Sequence, residues 1–390
     1  MGIAWLTFWA ALWVLLSWRS RALLGRIPPL PHATASTARE HLPRLSVIVP
    51  ARNEAATVER AMRSLLEQSY PQMQIIAIND HSTDETGVIL DRLATGAPRL
   101  RVLHNPILPP GWLGKPNAQH RGVQHACGEW LVFTDADIVF EPEILERAVA
   151  TATERDIEGL SLLPRLDCEL WAEAAQMPWF VPLGVFTLHP HESNRERGMG
   201  FAAGAFILIR RTTYEAIGGH QTLRSAVLDD VELGRRVKEH GFRFHVYEGH
   251  DAARVTMYRS LRGYFFGMVK NISYVVGGRH GQPLLAPLFA LPFAALVSLP
   301  VLIIGFASAL GDWPLLAAGA VAYLLPVALA LAPLPIVKLS RWHLFLYPLP
   351  VWLLLGAAVV ASYYRITRGS VLWRGREVVI RPSEQRPSID

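Results

Sequence analysis

The stretch Trp130-Leu-Val-Phe-Thr-Asp135-Ala-Asp137 constrains the fold more than any other, being a short apolar run that ends in two carboxylates spaced i, i+2. Such a run reads as a strand buried on both faces of a parallel sheet. In open α/β sheets, ligands bind beyond the carboxyl ends of the strands. If strand geometry persists through the pair, Asp135 and Asp137 point the same way. Two hard oxygen donors so placed suit a divalent cation held against a diphosphate. The same residues also read as a plain strand end followed by a helix with Pro142 in its first turn.

Between residues 44 and about 249, strands and helices alternate. Residues 45–49, 74–78, 101–104 and 130–134 read as strands, and 55–68, 84–94, 117–127 and 142–153 as helices. That alternation predicts an α/β domain with a mostly parallel sheet and helices on both faces.

The rest of the chain is far more apolar. Over 390 residues, 51% are hydrophobic and 18% charged, and the mean hydropathy is +0.22, which points to a membrane-attached protein. Residues 3–18 form a near-continuous apolar run. No basic residue precedes it, as a cleaved signal peptide would require, and Arg19, Arg21 and Arg26 follow. The positive-inside tendency then puts the following domain in the cytoplasm. Residues 284–307, 313–337 and 344–363 are each long enough to span a bilayer. Between the soluble region and these spans, 259–276 mixes aromatics with Arg262 and Lys270, as an interfacial amphipathic helix does.

The expected organisation is an N-terminal transmembrane helix (1–18), a Pro-rich linker (19–43) and a cytoplasmic domain (44–258). An interfacial helix (259–277), a membrane region with three apolar segments (284–363) and a basic tail (364–390) follow. Three spans after a cytoplasmic domain would put the tail outside, whereas Arg365, Arg368, Arg374, Arg376 and Arg381 favour the inside. One apolar segment is therefore expected to be re-entrant or interfacial. The net charge of +5 is mostly arginine and forms no nucleic-acid stripe. It fits anionic lipid headgroups, with no nucleic-acid partner. Cys127 and Cys168 make neither a disulfide scaffold nor a metal set. The apolar segments hold almost no ionisable residues, which argues against a transporter.

Three acidic motifs follow predicted strands: Pro50-Ala-Arg-Asn-Glu54, then Asn79-Asp80-His-Ser-Thr-Asp84, then Asp135-Ala-Asp137. All three can meet in one crevice at the strand ends. Asp84 reads as an N-cap or first-turn acid of the next helix. Asp80 has no such duty and could accept hydrogen bonds from a nucleobase edge or a ribose. Further on, Asp229-Asp230-Val-Glu-Leu-Gly-Arg-Arg opens a helix whose buried side holds Val231, Leu233 and Val237. One of the two aspartates can cap that helix; the other has no structural need to be there.

In this order the motifs resemble the nucleotide-diphosphate-sugar domain of family-2 glycosyltransferases, which have the GT-A fold, over about half of the chain. Gly111-Trp112-Leu-Gly-Lys115 and Asp229-Asp230 narrow the likeness to the membrane-anchored branch. That branch includes hopanoid-associated and carotenoid (diaponeurosporenoate-type) glycosyltransferases, with ceramide glucosyltransferase more distant. The resemblance implies that Asp80 recognises the base, typically uracil, and that Glu54 lies near the ribose. It implies that Asp135 contacts the nucleotide and that Asp137, with Asp135, binds the metal, Mg or Mn. Lys115 would reach the nucleotide or its phosphates, as an ammonium point charge suits. Asp230 would be the base that takes the acceptor proton in an inverting transfer. Trp112 would stack on substrate or anchor its loop, and Asp229 would lie beside the acceptor or diphosphate.

Arg259-Ser-Leu-Arg262-Gly263 stands where processive members carry Gln/Arg-x-x-Arg-Trp. The tryptophan is absent, which argues for transfer of a single sugar to a lipid and against polysaccharide synthesis. Arg259 and Arg262 could still bind diphosphate, or snorkel at the interface. Residues 170–188 are rich in aromatics, with Trp171, Met177, Trp179, Phe180 and Phe186, and read equally as an acceptor slot or a packed core helix. His189 and His191 read as solvated loop histidines. Gly198-Met-Gly-Phe-Ala-Ala-Gly204 does not open a helix after a strand, so it is no dinucleotide loop. It is similar to the family segment bordering the acceptor, where missing side chains would let substrate approach the backbone.

The expected function is a metal-dependent, inverting transfer from a nucleotide-diphosphate sugar, most simply a UDP-sugar, to a hydroxyl or carboxyl of a membrane lipid. The expected location is the inner (plasma) membrane, multi-pass, with the catalytic domain cytoplasmic. A processive polysaccharide synthase is the alternative. A non-catalytic membrane scaffold is a weaker one, because it would be expected to lose the acids at the strand ends.

Overall fold

The computed structural model describes residues 2–32, 42–105, 107–277, 285–331, 336–373 and 376–379. The chain begins with α1 (Gly2–Leu24), then β1 (Leu45–Ala51), α2 (Val58–Leu66), β2 (Met73–Asn79), α3 (Thr86–Thr95) and β3 (Leu100–His104). Next come α4 (Gly114–Gln124), β4 (Trp130–Phe133), β5 (Ile138–Phe140), α5 (Ile144–Glu154), β6 (Gly159–Leu163), β7 (Arg165–Cys168) and α6 (Trp171–Leu188). The second half holds β8 (Ile207–Arg210), α7 (Arg211–Ala216), α8 (Asp229–Glu239), β9 (Phe244–Glu248) and β10 (Ala253–Val255). Four long helices follow: α9 (Leu261–Gly277), α10 (Leu285–Leu310), α11 (Trp313–Leu331) and α12 (Pro348–Thr367). The chain divides into two compact units, one of residues 22–167 and 184–257, the other of 1–21, 168–183 and 258–390.

The first unit is built on a sheet of order β3-β2-β1-β4-β8-β6-β9. β3, β2, β1 and β4 run parallel. β8 is antiparallel to both β4 and β6, and β9 is parallel to β6. The alternation of side chains along each strand explains why both faces are covered. On one face Val47, Val49, Ile75, Ala77 and Val132 pack against α2, α3 and α5 through Met62, Leu65, Leu90 and Ala148. On the other, Ile48, Ile76, Ile78, Leu131 and Phe133 meet Ala118 of α4, Tyr214 of α7 and Leu233 and Val237 of α8. Strands apolar at nearly every position thus bury both faces, as the run at 130–134 implied.

The start of the Pro-rich segment is tied to this unit. Leu30 N–H donates to Glu248 O, and Glu248 N–H donates to Pro28 O. Arg147 donates to Leu30 O at 2.7 Å and to Pro31 O at 3.1 Å. Residues 33–41 of the same segment lie outside the described residues. Cys127 and Cys168 are both free thiols.

In the second unit, Trp9 and Trp13 of α1 pack with Val297, Ala322 and Val327 of α10 and α11, and with Tyr347. Trp9 Nε1 donates to Ala322 O at 2.8 Å, and Arg21 Nη2 to Leu329 O at 2.8 Å. Trp179 of α6 lies edge-on to Trp13, with centroids 4.6 Å apart. Of the two readings of the aromatic-rich stretch, packing therefore accounts for Met177, which is buried, and for Trp179. The side chain of Phe186 lies outside the described residues. Tyr264, Met268 and Val269 of α9 pack on Ala357 and Ala361 of α12 and on Ala172 of α6.

Three helices are long and apolar enough to cross a membrane: Ala286–Leu310, Trp313–Leu331 and Pro348–Thr367. They fall on the three apolar stretches read from sequence. Residue 284 and residues 332–335 of those stretches lie outside the described residues, as do Arg374 and Arg381 of the basic tail.

One polar contact inside the first unit sets a pH dependence. His220 is 1% exposed. Its amide donates to the Tyr214 hydroxyl at 2.9 Å, and the same hydroxyl lies 2.9 Å from His220 Nδ1. Burial pushes the imidazole down to about 3, with the positive charge of Lys115 and then His120 adding to it. The unfolded chain takes up a proton near the ordinary histidine value of about 6.5, and the folded chain does not. Stability at His220 is therefore full above about 6.5 and declines as pH falls toward 3, by about 1.4 kcal/mol per pH unit. The thermal midpoint of the full chain in detergent is expected to fall more steeply below pH 6.5 than that of His220→Gln. Equal slopes would contradict this.

Candidate active site

The loops after β1 and β2 are stapled together by their own side chains. Asn53 N–H donates to Ser82 Oγ at 3.0 Å, and Thr83 N–H to Asn53 Oδ1 at 2.8 Å. Glu54 N–H donates to Thr86 Oγ1 at 2.8 Å, and Ala55 N–H to Asp84 Oδ2 at 3.0 Å. Arg52 Nη1 reaches the carbonyls of Asp80 and His81 at 2.8 and 3.1 Å. Asp84 thus bridges two loops and also accepts Thr86 N–H at 3.0 Å. Burial opposes its charge, but these hydrogen bonds prevail and hold the carboxyl below its usual range. The N-cap of α3 is Glu85, so Asp84 serves the turn before the helix and is not its cap.

Within this frame Asp80 is 3% exposed. Its Oδ1 lies 3.0 Å from His81 Nδ1 and accepts from Asn105 Nδ2 at 3.3 Å. Arg121 of α4 in turn donates to Asn105 Oδ1 at 2.8 Å. The carboxylate of Glu54 accepts the Thr57 hydroxyl at 2.9 Å at the entry to α2.

The second group of residues gathers beyond β4. The strand ends at Phe133, and Asp135 and Asp137 fall in the turn before β5. Strand geometry does not persist through the pair, and the Thr134 hydroxyl donates to Ala205 O at 2.7 Å. Ala136 is buried between them while both aspartates are half-buried. Lys115, in the first turn of α4, places its Nζ 2.7 Å from Asp135 Oδ1 and 4.0 Å from Asp229 Oδ1. The loop before α4 turns at Gly111 (φ +80°) and is tied to the loop before α8, since Leu113 N–H donates to Arg224 O at 2.7 Å.

Glycines let α8 close this arrangement. A Cβ on Gly200 would lie 2.0 Å from Gly234 O, and one on Gly234 would lie 2.6 Å from Ala202 N. The 198–204 segment and α8 therefore touch backbone to backbone. The contact brings Gly204 N–H to Asp230 Oδ2 at 2.8 Å, while Asp230 Oδ1 accepts Val231 N–H at 2.9 Å. A Cβ on Gly204 would sit 3.0 Å from Asp230 Oδ2, 3.0 Å from Lys115 Nζ and 3.3 Å from Asp135 Oδ2. Gly204 is the floor on which all three side chains meet. Neither aspartate is the helix cap, which is Leu228; both lie in the first turn of α8, where the helix dipole favours them.

The charges respond to this crowding. Asp229 is 4% exposed. Burial raises its carboxyl to about 7; Lys115 opposes the shift, and Asp230 and Asp135 add to it. Burial works against the Lys115 ammonium, but Asp135, Asp229 and Asp230 around it hold its pKa above the ordinary lysine value.

A model described as glycosyl transferase family 2 matches residues 46–218, the span that carries Asp80, Lys115, Asp135 and Gly204. The chain carries a family-2 glycosyltransferase domain. Two 4,4'-diaponeurosporenoate glycosyltransferases of Staphylococcus aureus are similar to it. The strain MRSA252 protein is 28% identical over 244 residues, 60% of this chain and 62% of the relative. The strain USA300 protein is 29% identical over 245 residues, with the same coverage. The chain thus spans about three fifths of the length of these relatives. A mannosyltransferase from Pyrobaculum calidifontis, solved in complex with GDP-Man and Mn2+, matches at a TM-score of 0.51 and 20% identity, over 94% of this chain and 98% of its own. The fold of the family-2 domain is GT-A.

Of the residues read from the sequence, the first unit brings Lys115, Asp135, Asp229 and Asp230 together, and puts Glu54 and Asp80 in the stapled loops. Trp112 is half-buried and packs on His120 of α4, with centroids 5.0 Å apart. Arg259 and Arg262 belong to the other unit and are exposed there. His191 is not a solvated loop residue. It is buried in a short 3-10 helix (Pro190–Asn194), where burial lowers its pKa. Gly200 packs backbone to backbone against α8.

A divalent cation held here would take hard oxygen donors from Asp135 and Asp137. Among the described residues, no group of three or more His, Cys, Asp or Glu side chains is arranged to hold a metal ion. Such a pair fits a cation that completes its shell with phosphate oxygens and water. Asn105 and Arg121 escaped the sequence reading, whereas Arg52, Asn53 and Gly204 stood inside quoted motifs without roles of their own.

The two glycines are expected to respond differently to alanine. Gly200→Ala forces the backbone at Gly234 apart, an overpacking cost of about 1–3 kcal/mol, read as a drop of several degrees in thermal midpoint. Gly204→Ala meets only side-chain ends and is expected to shift the midpoint much less. Equal shifts would contradict the assignment of Gly204 as a site floor.

Proposed function

We propose that this protein transfers a single sugar from a nucleotide-diphosphate sugar, most simply a UDP-sugar, to a hydroxyl or carboxyl of a membrane lipid, with inversion. The observation that carries this reading is the meeting of Asp230 with Asp135 and Lys115 across Gly204. An inverting transfer needs a base facing the acceptor and cationic help facing the leaving diphosphate, within the span of one sugar. The names of the Staphylococcus aureus relatives support a carotenoid-type lipid acceptor. The three apolar helices support a multi-pass place in a membrane, and Arg19, Arg21 and Arg26 after the first apolar run support a cytoplasmic side for the domain.

In this reading Asp80 and Glu54 take the nucleoside from the stapled loops. Lys115 donates to the diphosphate as a point charge. The acceptor oxygen bonds to the anomeric carbon as the bond from that carbon to the diphosphate oxygen breaks. The acceptor proton passes to Asp230, whose Oδ2 is held by Gly204 N–H. A carboxyl acceptor is already ionised near neutral pH and asks less of this base. A divalent cation, Mg or Mn, at Asp135 and Asp137 would offset the charge building on the leaving diphosphate.

Labelled sugar should appear in extracted lipid when the full chain in detergent receives nucleotide-sugar and lipid extract, and chelation should abolish it. Asp230→Asn should lower the rate roughly a hundredfold or more while donor binding persists. Full turnover in that variant would remove Asp230 from the role of base.

A further inference from the structure

Asp135 is the residue expected to serve both nucleotide and metal, yet its Oδ1 already carries the Lys115 ammonium at 2.7 Å. The same ammonium lies 4.0 Å from Asp229 Oδ1 and faces Asp230 Oδ2 across Gly204. One cation therefore answers three carboxylates drawn from two distant segments. The pair borders solvent, with the side chains of Lys115 and Asp135 exposed to 33% and 36%. An ammonium on a flexible four-carbon stem can pass to a nearby phosphate oxygen without backbone movement. A hard divalent cation competes for the same carboxylate oxygen.

We infer that Lys115 is a resident counter-cation that occupies Asp135 in the metal's stead and is drawn off by the incoming diphosphate, so that metal and nucleotide bind as a coupled pair. This rests on the nucleotide-sugar reading above. Without diphosphate, a metal must displace the ammonium from Asp135. With it, the ammonium has anionic oxygens of its own and the carboxylate is released. The coupling is reciprocal: whatever factor the nucleotide adds to metal affinity, the metal adds to nucleotide affinity.

Calorimetry on the full chain in detergent tests this, with Mn2+ alone and with Mn2+ in saturating UDP or GDP. Electron paramagnetic resonance of Mn2+ counts the bound metal. The wild type is expected to bind Mn2+ at least tenfold more tightly with the accepted nucleotide than without it. In Lys115→Met, Mn2+ alone should bind at least tenfold more tightly than to the wild type, the nucleotide should bind more weakly, and the coupling should shrink toward one. Lys115→Arg keeps the charge and should keep Mn2+ alone weak. If Lys115→Met binds Mn2+ alone no better than the wild type, the inference is overturned. Loss of both affinities would mark a merely structural lysine and overturn it too. If the wild type binds a nucleotide but no Mn2+ under any condition, the metal-dependent reading itself fails, and the exchange fails with it.

Discussion

Three carboxylates brought to one spot repel each other, and the ammonium of Lys115 is what makes their meeting tenable. Asp135 comes from the end of β4, while Asp229 and Asp230 come from the start of α8, almost a hundred residues later. A unit charge pair at 4 Å attracts by about 4 kcal/mol at an effective dielectric near 20, before desolvation is counted. The cation stands against two such carboxylates, at 2.7 and 4.0 Å. It therefore offsets much of their mutual repulsion, and the first turn of α8 and the Gly204 amide take up more of it.

The fold supplies the geometry that this electrostatic arrangement needs. β1 and β4 lie side by side in the sheet, so their following loops open on the same edge. α4 begins near that edge and presents Lys115 in its first turn. The bond from Leu113 N–H to Arg224 O couples the Lys115 loop to the approach of α8. The glycine contact between the 198–204 segment and α8 then sets the distance from Asp230 to the floor of the site. Each of these is a backbone constraint, which is why the site can be held without a large hydrophobic enclosure of its own.

The sheet was legible in the sequence because its strands are apolar on both faces and its helices carry one apolar side. β1, β2 and β4 fall where the runs put them, since burial on two faces leaves little room for polar residues. The cluster was legible only in part. Asp135, Lys115 and Asp230 stand in recognisable motifs, but their meeting depends on Gly200 and Gly234, whose role is a close approach of the 198–204 segment to α8 that no local pattern encodes. Asn105 and Arg121 were invisible for a similar reason: they act on Asp80 through hydrogen bonds between β3, α4 and the β2 loop. His191 looked solvated because its neighbours are polar, and contacts remote in sequence bury it.

In the proposed reaction Asp135 and Asp230, so far apart in the chain, act as one catalytic unit. A double-mutant cycle with Asp135→Asn and Asp230→Asn, read as transfer of labelled sugar into extractable lipid, addresses it directly. Groups that act as a unit are grossly non-additive, so the double variant should be scarcely slower than the worse single variant. Losses that simply multiply would mean that the two carboxylates serve independent sites, and would contradict the account.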